Sequence, residues 1–437
     1  MDSVMTGAMV LGAMLMLVAL RAPASIAMLL SGSIGLLAMA NEAALLEVLR
    51  TSVHTRLATP ELLAIPLFLL MGQFALQGGL AQALFRAAIA CLGHRRGGLC
   101  MGSLLASSGF GAMCGSSDAA TATITQVAYP ELKQHSLLGT RAAGLLAPAG
   151  SLGLLLPLSV PLMAYAILAG QDMGPLLVAA CVPGLLAILV ALLCIRLPRS
   201  NAASSAALAM PTPWLTRWQA LRAVLPTLAV LGLVLGGIGL GHLTPTQGGA
   251  WGALGTLLAS LLRRSLTTKG FFNALWCTLT LCAMVFMVFV AADVLHAALA
   301  LTELPAMLAR SLLDLHLPFW LSLTLLLASV LALGSMLDEL SLLVVAMPLV
   351  FPVVMALDLW GLSPAEKTLW FGMVLLATLQ TGLLLPPVGR NLQVVRSICR
   401  GVPISVLYRG ALPFLATGLL RLALLIGFPS LSLALVR

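Results

Sequence analysis

The sequence predicts an all-α polytopic membrane protein built as two inverted structural repeats, each with a re-entrant helical hairpin and a broken helix. Three observations carry that expectation. Of 437 residues, 60% are hydrophobic and only 8% are charged, against about a quarter charged in a soluble domain, and mean hydropathy is +1.08. The apolar runs are long and do not alternate, which selects helices over a porin-like barrel. The same interrupted segments also recur in both halves of the chain.

In chain order, residues 1–61 read as scaffold helices, with apolar runs near 4–20 and 24–41. The first run follows Asp2 without a basic leader, so it reads as a retained helix and not a cleaved signal. Residues 62–195 form the first repeat, with a hairpin over 98–130 and a broken helix over 143–170. A polar linker spans 196–222 and carries Arg196, Arg199, Arg217 and Arg222 with no acid, which places it in the cytoplasm. Within it Trp214, Trp218 and Leu221 share a helical face. That is either an amphipathic helix in the membrane interface or an ordinary loop. The second repeat covers 223–437, with a hairpin over 318–357 and a broken helix over 369–402. At about 20 apolar residues per span, the chain has room for roughly a dozen.

The duplication rests on three matches in the same order. Gly111-Ala-Met-Cys answers Gly334-Ser-Met-Leu, "GLLLPL" at 153–158 answers "GLLLPP" at 382–387, and "VPGLLAILVALL" at 182–193 answers "LPFLATGLLRLALL" at 412–425. Charges around the hairpins give opposite orientations. The first is flanked by Arg95, Arg96, Lys133 and Arg141, the second by Glu303, Arg310, Asp314, Asp358, Glu366 and Lys367, a net acidic set. Basic flanks stay cytoplasmic, so the hairpins enter from opposite faces, the inverted-repeat plan of many secondary transporters.

Several function classes are excluded. The net charge of +9 follows from basic cytoplasmic loops, not from a nucleic-acid surface. The eight cysteines show no CxxC and read as small apolar fillers. No P-loop, HExxH or GxSxG is present, so neither ATP hydrolysis nor a familiar hydrolase centre is expected, and no organic cofactor is implied. Asp293 and His296, three apart on one helical face, read as a structural pair. Thr246 reads as a helix N-cap in "GHLTPTQGGAWGAL" (241–254).

The chemistry concentrates at four breaks. "SSGFGAMCGSSDAATATI" (107–124) places hydroxyls and one acid between apolar segments. Irregular backbone at membrane depth survives only against protein or a polar cavity, where broken helices offer carbonyls to cations and N-terminal dipoles to anions. Ser116, Ser117, Asp118 and Thr121 are the candidate groups there. Gly109, Gly111 and Gly115 are equally explained by close helix packing. "GSMLDELSLLVVAMP" (334–348) supplies Asp338, Glu339 and Ser341. Of its two acids, Asp338 is expected to be buried and Glu339 solvated. "GSLGLLLPLSVP" (150–161) and "QTGLLLPPVGRN" (380–391) are proline breaks, the second bringing Gly389 and Asn391.

These stretches, together with "PLFLLMGQFALQGGLAQALFRA" (66–87), "LTPTQGGAWGAL" (243–254) and "ALPFLATGLLRLALLIGFPSLSL" (411–433), resemble the large membrane subunit of tripartite ATP-independent periplasmic (TRAP) transporters, the DctM-like family, over nearly the whole chain. The resemblance implies a non-enzymatic, Na⁺-coupled importer of the bacterial inner membrane. It takes carboxylate-bearing solutes (C4-dicarboxylates, sialic acid or other organic or sugar acids) from a periplasmic binding protein, beside a small four-helix membrane subunit. An elevator motion of the domain holding both hairpins is implied. Carried over by motif, Ser116, Ser117, Asp118, Arg390 and Asn391 are candidates for the solute. Gly115, Ser117, Asp338, Ser341, Thr381, Pro386 and Gly389 are candidates for Na⁺.

The chain departs from the family pattern at Leu158, Gln247, Leu385, Arg390 and Gln393. Leu385 replaces a threonine, leaving Thr381 as the neighbouring hydroxyl. Arg390 is free to meet a solute carboxylate, Asp338 or the cytoplasm. Only three apolar segments precede the first hairpin, too few for a fused small subunit. The alternatives are a stand-alone ion-coupled organic anion permease and a non-transporting membrane scaffold.

Overall fold

A computed structural model of the chain describes residues 3–20, 22–95, 97–134, 141–196, 213–314, 318–357 and 359–436. The described residues are helical throughout, with turns between. Among the described residues, seven segments are long and apolar enough to cross a bilayer: Pro60–Gln77, Leu146–Ala169, Met173–Arg196, Trp214–Gly239, Thr268–Leu301, Glu339–Ala356 and Ile404–Gly427. Five shorter apolar helices join them. The chain is a multi-pass membrane protein.

Five helices precede the first hairpin: α1 (Ser3–Ala19), α2 (Ala24–Met39), α3 (Glu42–Ala58), α4 (Ala64–Gln77) and α5 (Leu80–Leu92). That corrects the three expected from apolar runs. Helix α3 carries too many charges to register as one, yet Asn41 caps it by accepting from the Ala44 amide at 2.8 Å. The first hairpin is α6 (Gly98–Cys114) and α7 (Ser117–Gln134). The next stretch holds α8 (Arg141–Gly144), α9 (Leu146–Ser151), a 3₁₀ turn (Leu152–Leu155) and α10 (Val160–Ala169), followed by α11 (Met173–Ala179) and α12 (Cys181–Arg196).

Most of the linker, including Arg199, lies outside the described residues, as do Arg96, Asp358 and the Arg141 side chain. Trp214 and Trp218 belong to the first two turns of α13 (Trp214–Gly239), so they begin a long helix and do not form a separate amphipathic one. Both are exposed. Helix α14 (Pro245–Leu262) is capped by Thr244, not Thr246. The Thr244 hydroxyl accepts from the Gln247 amide while Gln247 reaches back to the Thr244 N–H, a capping box.

Helix α15 (Thr268–Leu301) is 34 residues long, about 51 Å at 1.5 Å per residue. It packs on α2, α3 and α4. Asp293 on α15 does not pair with His296. It receives both arms of Arg56 from α3, at 2.6 and 2.9 Å, because the fork of an arginine matches a carboxylate better than an imidazole three residues away. After α16 (Leu304–Asp314) comes the second hairpin, α17 (Phe319–Gly334) and α18 (Glu339–Ala356). The chain then runs through α19 (Pro364–Gly382), α20 (Arg390–Ile398), α21 (Ile404–Gly427) and α22 (Ser430–Leu433).

The two halves make the same close contact. A Cβ on Gly111 would lie 2.8 Å from the Gly153 Cα, and one on Gly334 would lie 3.2 Å from the Gly382 Cα. In each half the second arm of contact is the glycine that opens the "GLLLP" break, so hairpin and broken helix meet backbone to backbone.

Candidate functional site

Each hairpin tip is a short break with its own cap. Helix α6 ends at Gly115 in the left-handed region (φ 71°), a conformation that a side chain resists. Ser116 then accepts from the Ala119 amide at 3.5 Å and starts α7. At the second tip Asp338 caps α18, accepting from the Ser341 amide at 3.2 Å. The first proline break leaves Leu158 at φ 75°. Ser159 there caps α10, accepting from the Leu162 amide at 3.3 Å. In the second break the Pro386-Pro387 bond is cis and Gly389 has φ 53°, where a Cβ would come 2.7 Å from the Tyr408 hydroxyl oxygen.

These breaks converge. The Gly115 carbonyl accepts from the Val160 amide at 3.1 Å, joining the first tip to the first break. The Ser117 amide donates to Glu339 Oε1 at 3.3 Å and the Ser117 hydroxyl donates to Glu339 Oε2, joining tip to tip. Arg390, first residue of α20, donates from Nε to Asp118 Oδ2 at 3.0 Å and reaches Asp338 Oδ1 at 3.6 Å. Four helix N-termini, those of α7, α10, α18 and α20, therefore open into one region, a setting that favours anions. Three acids and one guanidinium share it, so the acids outnumber the arginine.

The expected split between the two acids of the second tip is not seen, since both are half-buried. Glu339 is not solvated. It is the acid held by the opposing tip, partly buried and hydrogen-bonded twice to Ser117. Asp338 keeps 27% of its side chain exposed, because capping α18 directs it to the helix end. The hold on Glu339 comes from tertiary contact between segments 222 residues apart.

Buried polar atoms without partners mark where a guest is wanted. Asn391 is fully buried, and neither its amide nitrogen nor its oxygen has a hydrogen-bond partner. Asp118 Oδ1 and the hydroxyls of Thr121 and Thr125 are in the same condition. The three residues fall on one face of α7, and α7 packs against α20. Among the described residues, no group of three or more His, Cys, Asp or Glu is arranged to hold a metal ion. The unpartnered atoms are instead side-chain hydroxyl, amide and carboxylate groups.

The structure thus brings together Gly115, Ser116, Ser117, Asp118, Asp338, Ser341, Gly389, Arg390 and Asn391. It does not bring in Thr381, whose hydroxyl donates to the Ala377 carbonyl at 2.8 Å and which lines a cavity with Gln380 and Arg421. Pro386 is exposed. Glu339 and Thr125 were missed as site residues. Thr125 was legible as one turn beyond Thr121 on the same face, whereas Glu339 was visible as an acid of the second tip but not its contact with Ser117.

The sequence profile of the family described as "Tripartite ATP-independent periplasmic transporter, DctM component" matches residues 11–431. The chain belongs to this family. Among curated proteins, it is 33% identical to the C4-dicarboxylate TRAP transporter large permease DctM of Pseudomonas aeruginosa, over 86% of each chain. It is 30% identical to the sialic acid large permease SiaM of Vibrio cholerae, again over 86% of each. It is 25% identical to the 2,3-diketo-L-gulonate large permease YiaN of Escherichia coli, over 81% of each. The solved YdaH transporter of Alcanivorax borkumensis shares the fold at a TM-score of 0.55 and 16% identity, over 89% of both chains. This chain is accordingly a TRAP-type large permease subunit.

Proposed function

We propose that this subunit is the membrane carrier of a Na⁺-coupled importer of carboxylate-bearing solutes in the bacterial inner membrane. It would receive the solute from a periplasmic binding protein and work beside a small membrane subunit. The observation that carries the reading is Asn391, buried with both amide atoms unpartnered where α20 leaves the second break and packs on α7. Most named solutes of the relatives carry a carboxylate and isethionate carries a sulfonate; four convergent helix N-termini suit such an organic anion. Hydroxyls and backbone carbonyls at the same breaks suit Na⁺.

The mechanism follows from the charge balance. Glu339 and Ser117 hold the tips together, so the site is preorganised across both halves. A cation entering near Asp118 Oδ1 lowers the excess negative charge, and a carboxylate is then better tolerated at the helix N-termini. Na⁺ and solute would therefore bind with positive coupling, each raising the affinity for the other by the same factor. The domain holding both hairpins would carry the pair across the bilayer as an elevator against the scaffold helices. Close packing at Gly111–Gly153 and Gly334–Gly382 supports its moving as one body.

The test is thermal unfolding of the purified subunit in Na⁺ against K⁺. Stabilisation specific to Na⁺ is expected, because a ligand of the folded state alone raises stability by mass action. Asn391→Ala and Ser117→Ala should each weaken that response in protein that is still folded. Equal stabilisation by K⁺ in the wild type would contradict the site.

A further inference from the structure

We propose that Arg421 holds a small inorganic anion of the halide class, a bound counter-ion at a site separate from the Na⁺ and solute region. Arg421 lies on α21 in the middle of the apolar run "LLRLALL" and is 3% exposed. Its Nε and Nη2 have no hydrogen-bond partner, and no carboxylate pairs with it among the described residues. A guanidinium does not lose its proton to escape burial. An unpaired buried charge is among the most costly features a membrane protein can carry, so an anion is the balancing partner that the described residues do not supply.

The space around it sets the size of that anion. Arg421 lines a cavity of about 20 Å³ with Gln380, Thr381, Thr417 and the small residues Ala191 and Gly418. That volume holds about one water-sized guest. Such a narrow space suits a monatomic anion better than a dicarboxylate or a sugar acid. The hydroxyls of Thr381 and Thr417 already donate to the carbonyls of Ala377 and Phe414. The free donors are therefore those of the guanidinium, as an anion requires. The same arrangement disfavours a cation beside Thr381.

The position gives the ion a structural role. Helices α12 and α21 are repeat mates packed against each other, and in the duplication Arg421 answers Ala191. The cavity is lined on its other sides by α6, α9 and α19, through Leu104, Pro148 and Gln380. Gln380 donates to the Ser151 hydroxyl at 3.4 Å, from one broken helix to the other. A bound anion would thus stitch α21 to both broken helices where the two halves meet.

The experiment is thermal unfolding of the full chain at fixed Na⁺ and ionic strength, in chloride or bromide against methanesulfonate, which has no carboxylate. It is paired with anomalous density from bromide in crystals of the wild type. Saturable stabilisation by chloride and bromide is expected, amounting to a few degrees. It should be lost in Arg421→Met, and anomalous density should lie beside the Arg421 guanidinium. Three results would overturn the proposal: no halide dependence in the wild type, a halide response unchanged in Arg421→Met, or density elsewhere only. Stabilisation by succinate that Arg421→Met abolishes would assign the site to a solute carboxylate and also overturn it. If Arg421→Met does not fold, the wild-type density alone decides.

Discussion

Replacing Arg390 by leucine should tighten Na⁺ binding. Arg390 is a tethered cation between Asp118 at 3.0 Å and Asp338 at 3.6 Å, and it competes with any ion that uses those carboxylates. Two unit charges about 4 Å apart interact by roughly 1 kcal/mol in bulk water and by about 4 kcal/mol at an effective dielectric near 20. The Arg390 side chain is 42% exposed and that of Asp118 36%. Solvent therefore screens the group, and the lower half of that range applies. A gain of about 1.4 to 2 kcal/mol corresponds to roughly ten- to thirtyfold tighter binding. The assay is the Na⁺ dependence of thermal unfolding without solute at fixed chloride, fitted for an apparent Kd. Arg390→Lys, which keeps the charge, should shift far less. An apparent Kd that is unchanged or weaker in Arg390→Leu would refute the charge-balance reasoning.

Other perturbations test the fold that positions the site. Arg56→Leu strands Asp293, whose side chain is 21% exposed, and should cost about 3 kcal/mol in unfolding measurements. Adding Asp293→Leu should recover most of that loss. Gly111→Ala forces a Cβ to within 2.8 Å of the Gly153 Cα and should cost about 1–3 kcal/mol. Gly334→Ala meets first the flexible Leu342 Cδ2 at 2.9 Å and should cost less, so the order of the two melting temperatures checks the packing. Thr244→Ala removes the capping box of α14 and should cost about 1 kcal/mol, while Gln247→Glu should preserve it.

Local signals carried much of this architecture. The first tip was legible because "GSSD" interrupts apolar runs on both sides, and helices end and restart there at Cys114 and Ser117. The second tip and both proline breaks were legible for the same reason. Composition also told α1 and α2 apart as spans, but it passed over α3, whose charges dilute the apolar signal, and α5, which is only 13 residues long. The Thr244 cap was readable from its Thr-x-x-Gln spacing. What no local pattern could supply was the partner of each charge. Glu339 meets Ser117, Arg56 meets Asp293 and Arg390 meets Asp118 across 222, 237 and 272 residues. Arg421 is the exception, since a lone arginine inside an apolar run is itself a sign of function.

Uptake into proteoliposomes tests the central claim most directly. The chain would be reconstituted with its small membrane subunit, supplied with the cognate binding protein loaded with a carboxylate solute, and given an inward Na⁺ gradient. The account predicts accumulation that needs both the gradient and the binding protein and is abolished by Asn391→Ala. Uptake that proceeds equally in K⁺, or that is unaffected by Asn391→Ala, would contradict it.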